Sequence, residues 1–286
     1  MKKESFNPPP QTQDHQPGME AAMQPAPLSK GTSYQGSGKL NHKVAIITGG
    51  DSGIGKATSI AFAKEGCHVV IVYLNEHTDA KATQKIIEEL GGHCHLIHGD
   101  LGDETFCQAV VAETIATFHS LHILVNNAAE QHPKDTLEDI SASQLQKTFQ
   151  TNVFSMFYLT KAALPYLKKG SAIINTSSIT AYKGNARLLD YSASKGAIVS
   201  FTRSLALSLV KDGIRVNSVA PGPIWTPLIP STFTADEVDQ FGLDTEMGRP
   251  GQPDELAAAF VYLACNDSSY VTGQTIHVNG GSIING

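Results

Sequence analysis

Five apolar or β-branched residues, Val44-Ala45-Ile46-Ile47-Thr48, run without interruption into Gly49-Gly50-Asp51-Ser52-Gly53-Ile54-Gly55. Behind the glycines, Ile54, Ala57, Ile60 and Ala61 recur at helical spacing. The pattern predicts a buried strand, a tight turn and a helix with one apolar stripe. Glycine suits such a turn when the backbone must come close to something, and the helix that follows presents the positive end of its dipole there. A pyrophosphate is the natural occupant. The spacing is Gly-x-x-x-Gly-x-Gly, which differs from the Gly-x-Gly-x-x-Gly dinucleotide fingerprint, so a plain strand-to-helix connection stays open on this motif alone.

The same alternation continues along the chain. Apolar runs at 44–48, 69–73, 95–98, 123–126, 172–176, 215–219 and 275–278 read as strands. Helical periodicity falls at 54–65, 79–90, 104–118, 143–168, 191–211 and 253–264, with Gly66, Gly91 and Gly213 placed as C-terminal caps. Strands alternating with helices predict an α/β fold: a single Rossmann-type doubly wound domain, its seven-stranded parallel sheet flanked by helices. A chain of 286 residues, 41% apolar, can bury one such core without a second domain.

A second motif carries chemistry. Tyr191 and Lys195 lie four residues apart in a helical stretch and so share a face. A phenol titrates near ~10 in water, and a neighbouring ammonium favours its anion. Ser178, thirteen residues upstream at the end of the run 171–176, offers a hydroxyl to the oxygen that the tyrosine would protonate. Alone, a Tyr-x-x-x-Lys pair is more often a solvated helix face. With the glycine turn, the trio reads as carbonyl and alcohol chemistry.

Taken together, Thr48-Gly49-x-x-x-Gly53-Ile54-Gly55, Asn126-Asn127-Ala128-Ala129, Asn152, Ser178, Tyr191 and Lys195 resemble the short-chain dehydrogenase/reductase family over residues 39–286. Within it the chain resembles the bacterial general-stress oxidoreductases that carry a Pro- and Gln-containing N-terminal extension. The resemblance implies a catalytic set of Asn152, Ser178, Tyr191 and Lys195, with Asn152 holding a water that links Lys195 to solvent. It implies cofactor contacts from Gly49, Asp51, Ser52, Gly53 and Ile54 around phosphates and ribose, and from Tyr73 and Leu74 after the second strand. Asp100 and Leu101 would meet the adenine, and Asn127 and Ala128 would pass beneath the ribose. Pro221, Gly222 and Ile224 would hold the carboxamide, and Tyr191 and Lys195 would also touch the cofactor. Ala129 stands where the family usually has glycine. The resemblance further implies an NAD(P)-dependent alcohol dehydrogenase or carbonyl reductase and a homotetramer built on the helix after Ser143, the helix near Tyr191 and the last strand. The alternative is a non-catalytic nucleotide-binding stress protein, for which an intact catalytic set has no use.

Composition narrows the partners. Net charge is −6 with no basic run longer than two residues, which argues against nucleic acid. No apolar run approaches the ~18 residues of a membrane span and no signal-peptide core precedes residue 30, so a cytoplasmic location is expected. Cys67, Cys94, Cys107 and Cys265 are scattered, which points to reduced thiols. His93-Cys94-His95 with His98 alternates faces on a strand, so no metal site is expected. Residues 1–38 hold six of fourteen prolines and one Val, Ile or Leu, Leu28; this segment reads as an extended arm, flexible or lying on a neighbouring subunit.

Cofactor choice turns on Tyr73-Leu74-Asn75-Glu76, where no basic residue awaits a 2′-phosphate; NAD is favoured and NADP left open. The substrate wall is expected from Glu130-Gln131-His132, the segment after Ser178 and a lid over about 226–248. A polyol, a sugar and a small ketone all fit that description.

Overall fold

The structure is a computed structural model that describes residues 6–284. Seven strands form one sheet: β1 (Val44–Thr48), β2 (His68–Tyr73), β3 (Cys94–His98), β4 (Ile123–Asn126), β5 (Ala172–Thr176), β6 (Arg215–Pro221) and β7 (Thr275–Val278). All neighbours run parallel in the order β3-β2-β1-β4-β5-β6-β7. The order reverses between β1 and β4, and an open sheet of this kind leaves a crevice at the carboxyl ends of those strands.

A strand buried on both faces needs apolar residues throughout, and β1, β4 and β5 are buried at every position. Ala45 and Ile47 look to one face, against helices α1 (Gly53–Lys64) and α9 (Asp254–Ala264). Ile46 looks to the other, against α3 (Glu104–Phe118), α5 (Ser155–Ala163) and α7 (Leu189–Leu209). The remaining helices are α2 (His77–Glu89), α4 (Ala142–Phe149), α6 (Thr180–Lys183) and α8 (Ala235–Asp239). The predicted caps hold: Gly66, Gly91 and Gly213 all have positive φ.

Two expectations are corrected. The helix expected over 143–168 is interrupted by a π turn at Gln150–Phe154 between α4 and α5, and it ends at Ala163, just ahead of Pro165, whose ring nitrogen has no hydrogen to donate. The arm lies on this chain's own body, tied largely by hydrogen bonds from its backbone. Gln13 N–H donates to Pro230 O at 2.7 Å, and Asp254 accepts from Gly31 N–H at 2.9 Å. Glu65 accepts from the backbone N–H groups of Ser37 and Lys39.

The segment 226–248 folds around α8, whose start carries a capping box between Thr234 and Glu237. Trp225, Ile229 and Val238 form a small buried cluster there with Met23 of the arm.

Candidate active site

The ends of β1, β4 and β5 are stitched together by side chains. Thr48 Oγ1 accepts from the N–H groups of Asn127 and Ala128 at 2.8 and 3.0 Å. Asn127 Nδ2 donates to Thr48 O, and its Oδ1 accepts from Thr176 Oγ1. Above this seam lies a cavity of about 590 Å³, a size typical of sites that enclose a whole small ligand.

The glycine turn forms its floor. Gly49 and Gly53 both have positive φ, and a Cβ at Gly55 would fall 1.8 Å from Gly49 O, so only glycine permits α1 to pack back on the turn. The N–H groups of Ile54 and Gly55 find no acceptor among the described residues, while that of Lys56 begins the helix by donating to Ser52 O. Unpartnered amides at a helix start are what a phosphate binds. Gly49, Asp51, Ser52, Gly53 and Ile54 all line the cavity, as do Tyr73, Leu74, Asp100 and Leu101 beyond β2 and β3. Asn127, Ala128, Pro221, Gly222 and Ile224 line it on the other side. Ala129 is absent from the residues with positive φ, so alanine sits in the usual glycine position without strain.

Ser178, Tyr191 and Lys195 meet at the inner end, each less than a tenth exposed. Ser178 Oγ accepts from both Thr180 N–H and Thr180 Oγ1 at 3.1 Å. That leaves its own proton for the Tyr191 phenol or for a substrate oxygen. Asp190 accepts from Tyr191 N–H at 2.8 Å and from Thr148 Oγ1 at 2.9 Å, fixing the first turn of α7 against α4. Ser177 Oγ donates to Lys195 O, and Lys195 Nζ donates to Thr176 O at 2.9 Å. The ammonium stands 5.4 Å from the Tyr191 ring centre.

Electrostatics differ from the simple expectation that the lysine lowers the phenol. Burial pushes Tyr191 up to about 12, with the Ser178 hydrogen bond opposing it. Burial also lowers Lys195 to about 7. Both groups are therefore driven toward their neutral forms, as desolvation requires. An added positive charge in the cavity pulls the phenol back down.

Asn152 is fully buried and does not line the cavity. Its Nδ2 donates to Glu130 O and Ser194 Oγ, and its Oδ1 accepts from Glu130 N–H at 2.9 Å. Both donors and one lone pair are thus spent clamping the segment after β4 to α7. A water relay through this side chain is left with one lone pair.

At the opposite end, Asp51 and Glu76 bring two carboxylates to the cavity. Burial raises Asp51 to about 7, and burial likewise raises Glu76. Glu76 Oε1 is buried without a hydrogen-bond partner. Sequence reasoning named Asp51 for the cofactor but passed over Glu76 as a contact and Thr48 as the stitch. It also missed Gln16, Pro17 and Gly18 of the arm, which line the cavity and carry no hydropathy signal.

The histidines of β3 are engaged separately: His95 pairs with Glu113 at 2.7 Å, and His93 packs on His68. Among the described residues no group of three or more His, Cys, Asp or Glu could hold a metal ion, and no helix is long and apolar enough to cross a membrane.

Comparison with known proteins agrees with this geometry. The family model described as enoyl-(acyl carrier protein) reductase matches residues 49–282. General stress protein 39 of Bacillus subtilis is 59% identical over 276 residues, covering 96% of each chain. A chloroplastic NADPH-dependent aldehyde reductase 1 of Arabidopsis thaliana is 50% identical over 282 residues, 96% of this chain and 98% of that one. A short chain dehydrogenase from Burkholderia cenocepacia, solved in complex with NADP, superposes with a TM-score of 0.80 at 29% identity, over 85% of this chain and 98% of its own. With the parallel sheet, the glycine turn and Ser178, Tyr191 and Lys195 all gathered in one cavity, the chain belongs to the short-chain dehydrogenase/reductase family of NAD(P)-dependent oxidoreductases.

Proposed function

We propose that the protein interconverts an alcohol and a carbonyl compound, with Ser178, Tyr191 and Lys195 as the reacting constellation. The observation that carries this is the proton left on Ser178 once Thr180 has taken its acceptor side, aimed at the same place as the buried phenol. Ser178 donates to the substrate oxygen and holds it beside Tyr191. The phenol then gives its proton to that oxygen in reduction, or takes it in oxidation. Lys195, held by Thr176 O, in its ammonium form keeps two N–H donors for the ribose of the cofactor and for charge stabilisation of the phenolate. A bound nicotinamide cofactor supplies or accepts the electron pair. A non-catalytic nucleotide carrier has no need of such an arrangement.

The residues suit a dinucleotide: a glycine turn that admits no Cβ, two unpartnered amides at a helix start, and an orphaned carboxylate oxygen at the far end. The acidic pair Asp51 and Glu76 supports NAD, because a ribose hydroxyl can donate to Glu76 Oε1 whereas a 2′-phosphate would meet two carboxylates. The names of the aldehyde reductase and of the Burkholderia complex favour NADP instead.

A parallel fluorescence titration with NADH and NADPH decides between them, followed by a panel of aldehydes, ketones, sugars and polyols read at the nicotinamide absorbance. Tighter NADH binding with turnover is the expected result; failure to bind either cofactor sinks the assignment. The pH dependence adds a second check. Asp51 is neutral below about 7 and ionised above it, so the preference for NADH over NADPH grows severalfold between pH 6 and 8. In Asp51→Asn the part of that change contributed by Asp51 disappears; an unaltered profile removes Asp51 from the ribose end.

The homotetramer is proposed on the same footing. Phe157 is half exposed and packs on Phe201 with ring centres 4.2 Å apart and planes tilted by 36°, which gives α5 and α7 an apolar outer face. Light scattering of the purified chain measures the mass.

A further inference from the structure

The arm ahead of β1 grips the cavity at three places that the reaction chemistry does not use. Behind the phosphate turn, Ser52 sits at the N-cap of α1 and makes no side-chain capping bond. Glu20 supplies one from outside the helix: its Oε2 accepts from Gly53 N–H at 2.8 Å. Glu20 Oε1 accepts from Lys56 Nζ at 2.6 Å and from Ser29 Oγ at 2.7 Å. Glu20 and Lys56 are each 5% exposed, so water cannot stand in for either partner. Asp79, in the first turn of α2, accepts from Glu20 N–H and Ala21 N–H and holds the carboxylate in place.

At the lid, the fully buried Trp225 donates from Nε1 to Pro25 O at 3.0 Å and packs against Met23 and Phe6. At the mouth, the Gln16 side chain pairs with both backbone groups of Gln131, donating to its oxygen at 2.6 Å and accepting from its N–H at 3.2 Å. Gly18 lies so close to the lid that a Cβ there would fall 2.5 Å from Pro227 O.

We propose that residues 13–29 are a strap that completes the dinucleotide site, with Glu20 as the positioning residue for the first turn of α1 and Gln16 as the residue that shapes the substrate mouth. This rests on the redox reading above only in naming what fills the cavity. The phosphate turn has left-handed glycines at Gly49 and Gly53, so local sterics alone leave it soft. An outside anchor at Gly53 N–H then sets where the unpartnered amides of Ile54 and Gly55 point. A buried ion pair is a demanding anchor, because removing one partner strands the other charge.

The test uses the full-length chain. Glu20→Gln keeps the shape but removes the charge and one of the two acceptor oxygens, so Gly53 N–H and the Lys56 ammonium compete for the one that is left. Glu20→Leu combined with Lys56→Met removes both charges and keeps the apolar bulk. For each, the NADH and NADPH dissociation constants, the melting temperature, and kcat and KM for the carbonyl or alcohol turned over in the panel are measured. Glu20→Gln weakens binding of the preferred cofactor about tenfold, with kcat at saturating cofactor close to wild type. The double variant regains the melting temperature but not the affinity, since leucine offers Gly53 N–H no acceptor. Gln16→Ala, which disturbs no ion pair, raises the substrate KM severalfold without moving the cofactor constants.

Wild-type affinity in Glu20→Gln, or recovery of both stability and affinity in the double variant, overturns the role of Glu20. An unchanged KM in Gln16→Ala overturns that of Gln16. A wild-type chain that binds neither cofactor overturns the redox reading itself and is told apart from these outcomes without any variant.

Discussion

Tyr191→Phe lowers turnover by about a thousandfold, within the range that general acid–base catalysis contributes, while binding of the nicotinamide cofactor stays close to wild type. The phenol oxygen is the group placed to pass a proton to or from the substrate, and phenylalanine keeps the ring, the burial and the packing against Lys195. The loss falls on kcat, because the missing interaction is made at the reacting oxygen. The fold should scarcely notice: one hydrogen bond with Ser178 goes, worth about 1 kcal/mol. Steady-state kinetics and a cofactor titration on one preparation measure both quantities. Retention of even a tenth of wild-type turnover would move the proton transfer to another residue.

Gly55→Ala acts on the other half of the site and removes cofactor binding. The new Cβ would lie 1.8 Å from Gly49 O, 2.6 Å from Gly49 C and 2.8 Å from Asn127 Nδ2, so the turn must open. Gly49 is also bonded through its N–H to Val72 O at 2.7 Å, which ties it to the end of β2 and prevents an easy retreat. The expected outcome is a cofactor constant raised more than about a hundredfold and a stability loss of about 3 kcal/mol, the upper part of the overpacking range. Gly196→Ala in α7 is the matched control. A Cβ there meets nothing within 4 Å, and helix propensity predicts a gain of about 0.5–1 kcal/mol. Denaturant melts of the two variants should therefore move in opposite directions; equal behaviour would mean that the turn is loose.

The sheet was legible because buried parallel strands are written as unbroken apolar runs, and β1, β4 and β5 stand out as such with correct ends. The dyad of Tyr191 and Lys195 was legible because helical spacing puts both on one face and the glycine turn gave that pair a meaning, while Ser178 was singled out by the family resemblance. The π turn at Gln150–Phe154 was not, since its residues have ordinary helical preferences and the interruption is imposed by packing around Asn152. Helix α8 had a readable sign in Thr234 and Glu237, the two ends of a capping box, but five residues give too little periodicity to read.

The arm was misread for a plain physical reason. A scan of residue types weighs apolar content, and this segment has almost none of the branched aliphatic residues that fill a core. Beside the apolar contact of Met23 and Phe6 with Trp225, its attachment is made by single polar groups, Glu20 on Gly53 and Lys56, Gln16 on Gln131, Asp254 on Gly31. Their partners lie between 33 and 223 positions away along the chain. The same blindness hid Glu76, an ordinary helix-start glutamate in the sequence, whose significance comes from one buried and unpartnered oxygen.

The docking of the arm also fixes an order of events during synthesis. Trp225 lies 200 positions after Pro25, and Asp254 lies 223 positions after Gly31. When residues 6–31 leave the ribosome, Trp225 and Asp254 do not yet exist, so these two attachments form after those to Gly53, Lys56 and Asp79. A chain stopped short of residue 225 can hold its arm at Gly53, Lys56 and Asp79 but has no Trp225 or Asp254 to close it over the site.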